Sequence, residues 1–149
     1  MIVEAEQSIK IEQTHADTII GVSNGKGCAV VVPRQVKRKL EKDFRKAGIP
    51  RLFAYRTFIA RLVLTLEQAA FKNLSDLVID IEYTGQERRL RSIFLVMWSL
   101  RHDHIPDVSF RLIGKKSRAH KVGYQTMNGK RKADAVLTYK QLKNLIFRA

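Results

Sequence analysis

Along the first forty residues, apolar and polar positions alternate with the period of two expected of strands. Ile9 and Ile11 alternate with Lys10 and Glu12, which predicts a first strand, and Thr14-His15-Ala16-Asp17 can turn the chain. A second strand is predicted over Thr18–Val22. Ser23-Asn24-Gly25-Lys26-Gly27 offers the positive-φ residues of a tight turn, and Cys28–Val32 follows as a fully apolar third strand. Connections this short make the three strands antiparallel, because a parallel crossover needs about a dozen residues or more.

The period then lengthens. Pro33 stops the strand and can open a helix, along which Val36, Leu40 and Phe44 fall on one stripe among basic residues. Gly48-Ile49-Pro50 ends it. A second helix is predicted over about 53–72 with Phe58, Leu62, Leu66 and Ala69 inward, although Val63-Leu64-Thr65 also allows a strand. Asp76–Tyr83 reads as a strand apolar enough on both faces to lie inside a sheet. Thr84-Gly85-Gln86-Glu87 has the form of a capping box before a helix carrying Leu90, Ile93, Phe94, Met97 and Leu100. Val108–Ile113 is a further strand. Residues 114–132 are predicted irregular at least in part, and Thr138-Tyr139-Lys140-Gln141 is a second capping box before a last helix.

No repeat, low-complexity tract or linker interrupts this order, so residues 1–149 are expected to form one domain. The two later strands, separated by a helix, should be parallel. The predicted fold is α/β: a mixed five-stranded sheet, three antiparallel strands then two parallel, with helices on both faces.

Charge changes the picture most. Twenty-eight Lys and Arg against fourteen Asp and Glu give +14. Such an excess repels itself, and a polyanion is its natural complement; nucleic acid is the expected partner. A basic protein without such a partner remains the plain alternative. No helix sets a strongly basic face opposite a large apolar one, which argues against a membrane surface. No apolar run approaches the ~18 residues of a membrane span, and residues 1–12 carry three acids and no signal-peptide pattern. A cytoplasmic protein is expected. The lone Cys28 excludes a disulfide framework and a Cys-rich zinc site. Phe53, Tyr55, Phe94 and Trp98 exceed what one small core needs, which leaves a homo-oligomer open.

Asp80 and Glu82 share one face of their strand, at its carboxyl end beside a helix start, where ligand sites form in open α/β sheets. Two crowded carboxylates repel unless a cation lies between them or one keeps its proton. Mg²⁺ or Mn²⁺ is the natural cation for such oxygen ligands and serves phosphodiester hydrolysis. Solvent exposure of Glu82, or pairing of either acid with arginine, is the alternative. Asp134 stands between Lys130-Arg131-Lys132 and an apolar run, either as a site residue or as a cap or salt-bridge partner. Glu12 lies mid-strand on this reading, and Asp17 belongs to the hairpin turn.

The order βββ-α-β-α-β-α resembles the ribonuclease H-like fold of RNases H, Holliday-junction resolvases and exonucleases. Leu77-Val78-Ile79-Asp80-Ile81-Glu82-Tyr83 is similar to that family's fourth strand, which places Asp80 at a metal-binding position. His120 matches the loop histidine, and Lys132-Ala133-Asp134-Ala135-Val136-Leu137 the last carboxylate. The resemblance implies a nuclease hydrolysing DNA or RNA with one or two Mg²⁺ or Mn²⁺ ions. Glu12, Asp80 and Asp134 would hold them, with Glu82 a spare or outer ligand and His120 either a proton shuttle or a surface histidine of a phosphate-contacting loop. Two departures stand out: Glu12 or Asp17 replaces the first-strand aspartate, and Arg56-Thr57-Phe58-Ile59 lacks the first-helix glutamate. Lys115, Lys116, Arg118, Lys121, Lys130, Arg131 and Lys132 form the expected phosphate-contacting surface, with Tyr124 as a base-stacking platform. A non-catalytic nucleic-acid binder on the same fold is the second reading.

Overall fold

In the computed structural model, which describes residues 2–71, 74–114 and 117–148, the chain enters its sheet earlier than the pattern predicts. Strand β1 is Ile2–Gln7, with Val3, Ala5 and Gln7 buried and alternating with Ile2, Glu4 and Glu6. The predicted strand at Ile9–Glu12 is not formed. Ile11 is fully buried, but as the anchor of a connecting loop. That loop folds around the Lys37 ammonium, whose Nζ donates to the carbonyls of Lys10 (3.4 Å) and Gln13 (2.7 Å) and to Thr18 Oγ1 (2.8 Å). Carbonyls committed to a buried cation are not available to a strand ladder. Burial pulls the Lys37 ammonium down to about 8.

Strands β2 (Thr18–Ser23) and β3 (Gly27–Val32) follow as predicted. Pro33 caps α1 (Arg34–Lys46), and Asp17 is drawn to this helix start, where Oδ1 accepts the Arg34 amide at 2.8 Å. A single 3-10 turn, Pro50–Leu52, leads into α2 (Phe53–Ala69), so Val63-Leu64-Thr65 is helical. Strand β4 covers Asp76–Asp80 only, which leaves Glu82 beyond the strand's end. Helix α3 (Glu87–Ser99) starts without the capping box predicted at Thr84; Gln86 holds the cap position with no side-chain bond, after a turn at Gly85 with φ +82°. After β5 (Asp107–Arg111), helix α4 (Arg118–Met127) occupies much of the region expected to be irregular. Ser117 caps it by accepting the Ala119 amide at 3.2 Å. A two-residue strand β6 (Ala135–Val136) precedes α5 (Tyr139–Arg148). Here the predicted box forms: Gln141 Oε1 accepts the Thr138 amide (2.9 Å) and Thr138 Oγ1 accepts the Gln141 amide (3.2 Å).

The sheet has six strands in the order β5-β4-β1-β2-β3-β6, one more than the sequence predicts because β6 adds to the edge of β3. Strands β1, β2 and β3 are antiparallel neighbours, whereas β4 runs parallel to β1 and β5 parallel to β4. One face carries the main core, in which Leu40, Phe44, Phe58, Leu62 and Phe94 pack with Val3, Ala5, Leu77 and Ile79. The aromatic surplus is consumed there. Phe53, Phe94 and Trp98 are buried, and Tyr55 sits edge-on to Tyr83 at 5.4 Å, so these rings give no support to an oligomer. Among the described residues, no helix is long and apolar enough to cross a membrane.

Helix α4 covers the opposite face. Val122 packs on Ile19 and Ala29, and Gly21 permits a very close approach. A Cβ at Gly21 would stand 2.3 Å from the Ala119 carbonyl oxygen, so only glycine lets this helix lie so near the sheet.

Candidate functional site

The register of the sheet puts Glu6 opposite Gly21 on one side and, one step beyond Ala5–Ile79, beside Asp80 on the other. Both acids therefore point to the face covered by α4. The close contact at Gly21 brings His120 down onto Glu6, with Nδ1 and Oε1 at 2.6 Å. Ser117 donates to Glu4 Oε1 at 3.1 Å, one turn away. Glu6, Ser8, His120, Tyr124 and Met127 line a cleft of about 140 Å³. The rings of His120 and Tyr124 are nearly parallel, 12° apart, with centroids at 6.1 Å.

This crevice is electrostatically unsettled. Burial raises the Glu6 carboxyl above its ordinary range, His120 opposes that, and Asp80 and Glu4 add to the rise. Its Oε2 is buried without a hydrogen-bond partner among the described residues. Asp80 Oδ1 accepts the Ile113 amide at 2.8 Å. Glu82, half-buried just past the strand end, is pushed up to about 7, first by burial and then by sharing a hydrogen bond and negative charge with Asp80. Glu82 therefore keeps a proton until the pH approaches neutrality.

Beneath the acids lies a residue that the sequence reading passed over. Arg61 of α2 is fully buried, 4.6 Å above the Phe58 ring, and none of its guanidinium nitrogens has a hydrogen-bond partner among the described residues. Burial lowers it to about 10, while Tyr83 and Glu82 support its charge. It shares a small void with Glu6, Asp80 and Glu82. The available signal was a single arginine inside the apolar run Phe58-Ile59-Ala60-Arg61-Leu62-Val63-Leu64, since a buried charge requires compensation.

The other predicted site residues are elsewhere. Glu12 is exposed in the β1–β2 connection, where its Oε2 accepts the Tyr83 hydroxyl at 3.0 Å. Its place in the crevice is taken by Glu6. Asp134 is anchored on Ala29 of β3, three strand spacings, roughly 14 Å, from β4. Its Oδ2 accepts the Ala29 amide at 2.8 Å and Arg131 Nη2 at 3.2 Å. Burial would raise Asp134, but Ala29, Arg131 and the Cys28 thiol together hold it below its usual range. Cys28, buried beside that carboxylate, is pushed up to about 11. Asp134 is a structural anchor of β6. Glu67, further along α2, is bound by Arg101 (2.7 Å) and His102 (2.8 Å).

The basic residues divide in the same way. Arg118, Lys121 and Tyr124 are exposed on α4 beside the cleft, and Lys130 and Lys132 are exposed in the turn after it. Arg131 is withdrawn from that surface, because Nη2 also bonds the Gly27 carbonyl at 2.9 Å. Lys115 and Lys116 lie outside the described residues.

Among the described residues, no three His, Cys, Asp or Glu side chains are gathered closely enough to hold a metal ion unaided. Glu6 and Asp80 are the pair that could hold one hard cation, since two adjacent carboxylates repel and one buried oxygen lacks a partner among the described residues. They do not fit a two-ion centre built with Glu12 and Asp134. Comparison of the chain with protein-family models, curated proteins and solved structures finds no match.

Proposed function

We propose that this protein is a metal-dependent nuclease of the ribonuclease H-like kind, cleaving phosphodiester bonds of DNA or RNA. The observation that carries the reading is Glu6, held under His120 and level with Asp80 on the next strand, with a buried carboxylate oxygen unpartnered among the described residues, next to the exposed cations of α4. Three antiparallel strands continued by two parallel ones also agree with the resemblance. Glu6 and Asp80 would hold one Mg²⁺ or Mn²⁺, whose chemistry is to polarise a phosphate and stabilise the charge of its hydrolysis. Glu6 fixes His120 through Nδ1, which leaves Nε2 as the nitrogen that accepts or delivers a proton. Glu82, titrating near neutrality, holds a second proton next to Asp80. Arg118 and Lys121 bind the strand's phosphates, and Tyr124 offers a ring to an unstacked base.

Arg61 favours a second reading. A resident cation behind the acids, at the helix where a carboxylate is missing, suits a nucleic-acid binder that has no use for a metal. Labelled single-stranded, double-stranded and hybrid substrates, incubated with Mn²⁺ or EDTA, separate the two. Cleavage that needs Mn²⁺ and disappears in Asp80→Asn supports the nuclease. Salt-sensitive binding with no cleavage on any substrate replaces it with the binder.

A further inference from the structure

Strand β5 is the end of the sheet among the described residues, and its free edge is self-complementary. Asp107 donates its amide to Ser75 O at 2.8 Å, and Arg111 O accepts the Ile81 amide at 3.2 Å. The odd-numbered residues therefore bond inward to β4. The backbone groups of Val108 and Phe110 point outward, away from the sheet. The segment reads Ile105-Pro106-Asp107-Val108-Ser109-Phe110-Arg111-Leu112-Ile113, nearly palindromic in chemistry about Ser109. Laid antiparallel on a second copy with Ser109 on the two-fold axis, Asp107 faces Arg111, Val108 faces Phe110 and Ile105 faces Ile113.

The backbone agrees with this register. Val108 and Phe110, the outward-bonding residues, become the hydrogen-bonded pair, whereas Asp107 and Arg111 become the closer non-hydrogen-bonded pair, where side chains interact best. Pro106 meets Leu112 at the end of the strand, where its missing amide limits that pair to a single bond, from the Leu112 amide to the Pro106 carbonyl. At the two ends of the strand, Leu112 is 80% exposed and Ile105 45%. Arg91 reaches over this edge, its Nε donating to Val108 O at 3.2 Å; a carbonyl has a second lone pair for the partner's amide.

We infer that β5 is an interaction edge for a second copy of this chain, joining two sheets antiparallel across Ser109. An edge defended only against aggregation needs charge of any sign. This one places opposite charges at positions that meet under two-fold symmetry.

Charge exchange provides the test. Light scattering on the whole protein should give the mass of a dimer at ~100 μM, in the range of weak specific association. Asp107→Arg alone and Arg111→Asp alone should each weaken it at least ~10-fold, because like charges then face each other twice. The two variants mixed, or both changes in one chain, should restore it. A Ser109→Cys variant should form an intermolecular disulfide under mild oxidation, since Cys28 is buried. A monomeric wild type that also fails to cross-link through Cys at 109 overturns the proposal. So does a dimer indifferent to the charge changes, which would lie on another surface.

Discussion

Two acidic regions sit at the same height of the sheet, and they differ in how completely their carboxylates are satisfied. At the β3–β6 edge, Asp134 has a backbone amide, a guanidinium and a thiol around one carboxylate, all holding it ionised. At the β1–β4 crevice, Glu6, Asp80 and Glu82 outnumber their partners among the described residues: one oxygen is unpaired, one proton is shared, and the buried Arg61 donates no hydrogen bond. Hydrogen-bonded acids stabilise folds. Acids kept buried and short of partners are retained at a cost in stability, and such groups concentrate where ligands bind.

The largest expected difference is in cleavage. Asp80→Asn or Glu6→Gln should lower Mn²⁺-dependent hydrolysis by about 10³-fold or more, whereas Asp134→Asn and Glu12→Gln should change it less than ~3-fold; initial rates on one labelled substrate decide. Equal loss from Asp134→Asn would dissolve the distinction between the two regions. His120→Ala comes next, with about 10²-fold lost and the alkaline or acid limb of the pH–rate profile flattened. An unaltered profile would reduce His120 to a partner that only positions Glu6.

Stability should respond in the opposite sense. Asp134→Ala leaves the Ala29 amide and Arg131 without their acceptor and should cost ~1–3 kcal/mol in urea unfolding, while activity at low temperature persists. The smallest effect concerns Glu82. Its folded-state pKa is raised, so the native chain holds a proton that the unfolded chain releases, and stability declines as pH rises from about 4.5 to about 7. With solvent screening of this partly exposed group the decline should be ~1 kcal/mol, and Glu82→Gln should abolish it when urea midpoints at the two ends are compared. Bound Mn²⁺ should also flatten it, by favouring ionised acids in the crevice.

How much was legible in advance follows from the range of the interactions involved. The strands Thr18–Ser23 and Gly27–Val32, the helices after Pro33 and after Thr138, and the acid at Asp80 all announce themselves through period, turn residues or caps within a few positions. The first strand was misplaced because Ile2–Gln7 and Ile9–Glu12 alternate equally well. The choice between them was made by Lys37, 27 residues from Lys10, which turns the second segment into a loop. That displacement carried Glu12 away from the site and put Glu6 in its place.

By itself the sequence determined that the chain is α/β, strongly basic, and equipped with an acid at the end of an internal strand. Those properties are written in local periodicity and in composition, which no distant contact can alter. Only the tertiary structure decided which acids meet. Glu6, Asp80 and His120 are joined by strand register and by the approach of α4 at Gly21, and Asp134 is removed by its bond to Ala29. Those outcomes depend on pairs 74 to 114 residues apart, where a one-residue shift of register would send every carboxylate to the other face.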